Sequence, residues 1–249
     1  MSNLRFYSAE NLSTGATVKL SDNAAVHATR VLRLNVGDTI KLFNGDGLDY
    51  TCELLSVKKS EVLAKVKSSE TIKNESPLNI TLLQGISSGD RMDYTIQKAV
   101  ELGVALIQPL STERSVVKLS AERAEKRLEH WQNVVRSACE QCGRAKIPHV
   151  VAPVSLTAWL GANIYEASGA SSVTRILLNP IGAEQLSTLP KTTQYIHLLI
   201  GAEGGLSQAE IDLAASHGFQ SIILGPRILR TETAAIAAIA TMQTLWGDF

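Results

Sequence analysis

The chain is poor in cysteine, in net charge and in long apolar runs. Its three cysteines, Cys52, Cys139 and Cys142, are too few and too odd in number for a disulfide framework, which fits a reducing compartment. The 24 Lys and Arg are balanced by 24 Asp and Glu. A net charge of zero argues against a protein that coats nucleic acid without selectivity, although it leaves room for a local basic face. The apolar runs are short and broken by polar residues, so no transmembrane helix is expected. The opening MSNLRFYSAENLS lacks a basic region followed by an apolar stretch, so a secretory signal is not expected and the chain reads as cytoplasmic. There is no G-x-G-x-x-G and no G-x-x-x-x-G-K-[ST], which argues against a dinucleotide fold and a P-loop. His130, His149, His197 and His217 are scattered, and Cys139-x-x-Cys142 sits in or at the end of a long helix with no second pair, so no metal site is expected.

What is present is a chain of 249 residues, 45 % hydrophobic and 19 % charged, long enough for one large or two modest globular domains. Strand patterns fill Asp38 to Asn44, Leu48 to Val57 and Glu61 to Ser68. Asn44-Gly45-Asp46-Gly47 reads as a hairpin turn, and Lys58 to Ser60 as a second turn. A helix is expected at Asp22 to Leu32, capped by Ser21 or Asp22. Short strands on tight turns predict a small barrel. Thr71 to Pro77 (TIKNESP) is the expected linker.

Beyond it the pattern changes. Strand-like runs at Leu78 to Leu83, Val104 to Leu110, Arg175 to Leu178, Ile196 to Ile200 and Ser221 to Leu224 alternate with helical ones. The helices are Asp90 to Leu102, Ala121 to Cys142, Leu156 to Leu160, Gln208 to His217 and Thr231 to Trp246. Such alternation predicts an α/β domain with a mainly parallel sheet. Ser207 and Glu210 have capping-box spacing, Gly103 stands where a helix should stop, and Ala167 to Ser172 reads as an exposed loop.

Two loops carry the functional signal. One is IGAEGGLSQAEI, Ile200 to Ile211; the other opens LGPRILRTETAAIAAIA, Leu224 to Ala240. Both follow apolar runs and precede helices. Glycine lets backbone amides approach a ligand, and a helix N-terminus adds partial positive charge. Each alone could be an ordinary strand-to-helix turn. Together with Leu178-Asn179-Pro180 they place three turns at the carboxyl edge of one sheet, where open α/β sheets bind ligands. Leu178, Leu199, Leu224, Ile228 and Leu229 would supply apolar walls suited to adenine and a thioether chain.

The motifs HATRVLRL (His27 to Leu34), GDRMDYTIQKAVELGV (Gly89 to Val104), ERSVVK (Glu113 to Lys118), EQCGR (Glu140 to Arg144), IGAEGGLS and LGPRILRTETA extend nearly end to end. On them the chain resembles the family of small-subunit (16S) ribosomal RNA uridine-N3 methyltransferases of the SPOUT class. One departure is visible: Ala202 stands where the family usually has proline. The resemblance implies a PUA-like β-barrel at 1–72 and a SPOUT α/β-knot methyltransferase domain at 73–249, with a deep trefoil knot near 175–245. It implies S-adenosylmethionine bound by Leu178, Asn179, Leu199, Gly201, Gly204, Leu224, Ile228, Leu229 and Arg230. It also implies a homodimer paired through the last helix, with Ile236, Ile239 and Met242 as anchors.

Methylating N3 of uracil requires loss of its proton, hence a base or a group that stabilises the anion. Glu203 and Glu232 are the candidate bases and Arg230 the candidate stabiliser. Glu232 could equally be a first-turn acid complementing the helix dipole, and Arg230 a structural partner of loop carbonyls. For RNA contact the candidates are Arg5, His27, Arg30, Arg33 and Arg144. Arg30 and Arg33, three apart, would share a helix face and grip phosphates, or form a solvated face. The expected substrate is 16S rRNA or the small subunit. The alternatives are another RNA such as tRNA, or a non-catalytic assembly factor.

Overall fold

The computed structural model describes residues 4–58, 61–162, 173–181, 184–190 and 194–249. Residues 59–60 of the expected second turn, and the expected loop at 167–172, lie outside them. The chain divides into two compact units. One holds Met1–Glu75 with Arg136–Ile147; the other holds Ser76–Val135 with Pro148–Phe249.

The first unit is built on β1 (Arg5–Tyr7), β2 (Thr17–Lys19), helix α1 (Asp22–Val26), β3 (Thr39–Phe43), β4 (Leu48–Lys58) and β5 (Glu61–Thr71). The sheet order is β1-β3-β4-β5-β2; β1 runs parallel to β3 and the other pairs are antiparallel. Tyr50, Cys52 and Leu54 on β4, with Val62, Ala64 and Val66 on β5, alternate inward at period two and form the core with Phe6, Ile40 and Leu42. Ser21 caps α1, its side chain accepting from the Ala24 amide. The expected helix to Leu32 is not α-helical throughout. His27–Val31 widens into a π-turn, and Leu32 N donates to His27 O at 3.0 Å.

The second unit contains β6 (Asn79–Gly85), α2 (Asp90–Glu101), β7 (Leu106–Ser111), α3 (Ala121–Cys142, whose last turns belong to the first unit), β8 (His149–Val150), β9 (Val154–Ser155), α4 (Leu156–Gly161), β10 (Thr174–Leu178), β11 (Glu184–Gln185), β12 (Tyr195–Ile200), α5 (Gln208–Ser216), β13 (Gln220–Ile223) and α6 (Thr231–Trp246). Its sheet has the order β11-β13-β10-β12-β6-β7-β8, with β9 also on β7, and these pairs are all parallel. Parallel strands buried on both faces read as continuous apolar runs, which is why ITLLQ and YIHLLI show no alternation.

Helix α2 buries Met92, Ile96, Ala99 and Val100, a stripe at helical spacing. Helix α6 buries Thr231, Ala235, Ala238, Ile239 and Met242, again one face, and packs on α2. Each of the larger apolar side chains so buried contributes roughly 1.5–3 kcal/mol. This corrects the expectation for the last helix. Ile239 and Met242 are buried within their own chain, so they are not free to anchor a second copy. The face left uncovered carries Thr233, Ala237, Thr244 and Leu245.

Candidate functional site

Because every strand of the second sheet runs the same way, the loops after β6, β7, β10, β12 and β13 leave its carboxyl edge together. They enclose a cavity of about 620 Å³, within the ~300–1,000 Å³ range of small-molecule sites. Leu178, Asn179, Pro180 and Ile181 follow β10. Ile200 to Leu206 follow β12, and Leu224 to Arg230 follow β13. Arg91 and Arg114 reach in from the starts of the segments after β6 and β7.

The Gly201–Ser207 loop is held from four sides. Thr231 Oγ1 donates to Gly201 O at 2.6 Å and accepts from buried Gln84 Nε2 at 2.9 Å, tying the start of α6 to the loop and to β6. Arg114 Nη1 donates to Gly204 O at 3.3 Å. Glu203 Oε1 accepts from Ser88 N, Ser88 Oγ and Arg91 Nη1. The Glu210 carboxylate accepts from Ser207 N in the expected capping box and from Glu113 N. A Cβ on Gly204 would stand 2.9 Å from Arg114 Cβ, and one on Gly201 would stand 2.7 Å from the Gly205 carbonyl carbon. Glycine is required there by close approach, and at Gly205 by its φ of +68°.

Of the residues expected at the cofactor, Leu178, Asn179, Gly201, Gly204, Leu224, Ile228, Leu229 and Arg230 line the cavity. Leu199 does not. It is fully buried in the cluster formed with Leu83, Leu110 and Leu177, one residue back along β12, and Ile200 takes its place at the wall. Ile181 and Ile228 are 78 % and 85 % exposed, so two large apolar side chains stand in water at the mouth.

All three expected catalytic residues line the same cavity. The exposed Arg230 side chain stands at the start of α6, which no side chain caps, so first-turn amides remain open there. Glu232 Oε2 is buried and accepts no hydrogen bond among the described residues. Burial alone would raise the Glu203 carboxyl. The donors from Ser88 and Arg91 outweigh it and hold that group below the ordinary carboxylate range. The lining carries Arg91, Arg114, Arg227 and Arg230 against Glu203 and Glu232, an excess of positive charge that the neutral total conceals.

The RNA candidates separate. His27, Arg30 and Arg33 are exposed. Arg30 and Arg33 do not share a regular helix face, because the turn is π-wound and Arg33 has left the helix with φ +53°. Arg5 is a correction. It is 3 % exposed, bonded to Asp49 at 2.7 Å and to the carbonyls of Cys139 and Arg144, and stacked 3.7 Å over Phe43. Arg144 is also buried, donating to Glu75 Oε2 at 2.7 and 3.1 Å. Both are internal fasteners of the first unit, leaving no guanidinium for phosphate. Cys139 is buried and its thiol is pushed up to about 12 by burial, which makes it a poor nucleophile.

The roles of Gln84, Ser88, Arg91, Arg114 and Thr231 emerge only from their contacts in the fold. Ser88, Arg91, Arg114 and Thr231 lie inside or beside quoted motifs, and that was the available signal. Gln84 had only its polarity inside an apolar strand.

Comparison with known proteins adds independent findings. Residues 74–243 match an RNA methyltransferase domain family, and residues 20–67 an RNA methyltransferase PUA domain family. The ribosomal RNA small subunit methyltransferase E of Buchnera aphidicola (Schizaphis graminum) is 36 % identical over 98 % of this chain and 97 % of its own. A crystal structure of the protein of that name from Neisseria gonorrhoeae, bound to S-adenosyl methionine, is 46 % identical over 98 % of both chains, with a TM-score of 0.89. A Legionella pneumophila methyltransferase structure with bound SAM is 39 % identical over all of both chains, with a TM-score of 0.92.

Proposed function

We infer the reaction from the family to which the chain belongs, the ribosomal RNA small subunit methyltransferases E. The chain is an S-adenosylmethionine-dependent methyltransferase that modifies N3 of a specific uridine in 16S rRNA. The observation that carries this is the cavity at the sheet's carboxyl edge, walled by three converging loops and lined by four arginines.

The residues fit the cofactor. At Gly201 and Gly204 a Cβ would meet Gly205 and Arg114, so glycine lets the loop fold back tightly while both residues line the cavity. Leu178, Leu224 and Leu229 offer apolar surface to an adenine and a thioether chain. When bound, S-adenosylmethionine supplies an electrophilic methyl group on a sulfonium.

The chain's own residues must prepare the uracil. Glu232 Oε2, buried and unpartnered, is assigned the N3 proton. Arg230 and the uncapped amides of α6 stabilise the imide anion left behind. Arg91, Arg114 and Arg227 give the phosphates of the strand their counter-charge. His27, Arg30 and Arg33 extend RNA contact on the first unit.

Further parts of this reading are a domain division at 72/73, a trefoil knot within 175–245, action in the cytoplasm, and a homodimer seated on the uncovered face of α6. The test of the reaction is nucleoside mass spectrometry. Small subunits lacking the modification, incubated with the protein and S-adenosylmethionine, should gain 3-methyluridine at a single position. A methyl group on ribose, or on another base, would refute the assignment.

A further inference from the structure

We propose that Glu203 is a positioning residue that latches the cofactor loop in its binding shape and is not the base of the reaction; the proposal rests on the S-adenosylmethionine reading above. Glu203 sits in the middle of the glycine loop. Its Oε1 receives three donors, Ser88 N at 2.8 Å, Ser88 Oγ at 2.7 Å and Arg91 Nη1 at 3.1 Å. Oε1 so occupied has no free lone pair for a substrate proton, and the same donors hold the carboxyl below its ordinary range, which leaves the group as a whole a weaker base. Its side chain is about one-fifth exposed (22 %), so the contacts are partly shielded from water.

The donors come from the turn that leads from β6 into α2 and from the first turn of α2 itself. Both are fixed, because the helix buries Met92 and Ile96 in the core. The loop is the soft partner. Three glycines in five residues leave it many alternative backbone conformations, and ordering them costs entropy. Each latch on the loop moves that cost from the binding step to folding, which is preorganisation. Glu203 reaches outward from the middle of the loop with its own side chain, whereas Gly201 and Gly204 are held by their backbone carbonyls. The peptide groups on either side of Glu203 line the cavity, so releasing this side chain frees the wall the cofactor touches.

The consequence is a split between binding and chemistry. The experiment is calorimetric titration of the full chain with S-adenosylmethionine, alongside methyl transfer to 16S rRNA at saturating concentrations of both substrates. Glu203→Ala loses charge-assisted hydrogen bonds and should raise the cofactor Kd by about tenfold or more, with kcat lowered by less than about fivefold. Glu203→Gln keeps an acceptor oxygen for Ser88 and should recover Kd to within about threefold of wild type. The acid limb of its kcat–pH profile should not move.

An unchanged Kd in Glu203→Ala overturns the proposal. So does a kcat loss of about a hundredfold in Glu203→Gln with loss of the acid limb, the mark of a general base. If Glu203→Ala does not fold, the double variant Ser88→Ala with Arg91→Ala strips two of the three donors, Ser88 Oγ and Arg91 Nη1, from the other side. It should then show the raised Kd, and a wild-type Kd there is equally fatal. A wild-type chain that fails to bind S-adenosylmethionine overturns the underlying cofactor reading, a result distinct from tight binding by wild type and Glu203→Ala alike.

Discussion

Replacing Thr231 by valine removes one hydroxyl and keeps the shape of the side chain. That hydroxyl makes two buried bonds, donating to Gly201 O at 2.6 Å and accepting from Gln84 Nε2 at 2.9 Å. Thr231 is 7 % exposed and Gln84 is fully buried, so water cannot replace it without a rearrangement. The variant strands the Gly201 carbonyl. The Gln84 amide keeps only its 3.1 Å bond to Gly85 O, and Gln84 Oε1 already has no partner. A stranded buried group costs about 1–3 kcal/mol, so the two losses together should destabilise by roughly 2–4 kcal/mol. For a chain of this size that lowers Tm by roughly 4–16 °C. Part of the loss falls on the loop itself, so cofactor affinity should drop about tenfold for each ~1.4 kcal/mol spent locally. Thr231→Ser restores the hydroxyl and should recover most of both. Scanning calorimetry and titration on the three proteins decide the matter. A Thr231→Val protein within about 0.5 kcal/mol of wild type, with unaltered affinity, would show that the hydroxyl is not what joins α6 to the loop.

Four other outcomes are expected. Arg5→Met leaves Asp49 buried without its main partner and should destabilise by about 3–5 kcal/mol in urea melts. In contrast, Arg30→Ala with Arg33→Ala should leave stability unchanged and reduce the slope of log affinity against log salt by about 0.7–0.9 per lost phosphate contact. His197 is packed edge-on against Trp159, and its imidazole is pushed down to about 4 by burial and then by the Arg175 charge. The native state refuses a proton that the unfolded chain accepts, so stability is full above pH ~6.5 and falls by roughly 3 kcal/mol as pH drops to ~4. His197→Leu should flatten that acid loss, and equal pH slopes in urea midpoints would contradict the assignment. Ala237→Arg places a charge on the uncovered face of α6 and should split a homodimer in sedimentation equilibrium while the fold survives. Ala238→Arg enters the core beside α2 and should unfold the chain instead. A dimer undisturbed by Ala237→Arg would move the interface elsewhere.

Much of the architecture was legible because it is written in local periodicity. The inward alternation of Val62, Ala64 and Val66, the helical stripe of Met92, Ile96 and Ala99, and the capping box of Ser207 and Glu210 each lie within a few residues. Local chemistry decides such elements with little help from distant contacts. The short strands β1, β2, β8, β9 and β11 were not legible, because two or three residues carry no period and are strands only through their neighbours.

By itself, then, the sequence determined the α/β alternation, the order of the strands along the chain and the three loops that meet at the site, because glycine spacing and apolar period are properties of neighbours. Only the tertiary structure decided which charges are free. Arg5 and Arg230 look alike in sequence, yet one is sealed against Asp49 and the other stands at the cavity. Glu203 and Glu232 likewise part company, one with three donors on Oε1 and the other holding a bare buried oxygen. The reason is that a charged group's role depends on its solvation and its partners. The partners of Arg5 lie 44 to 139 residues away, and those of Glu203 lie 112 to 115 away, a separation no local pattern encodes.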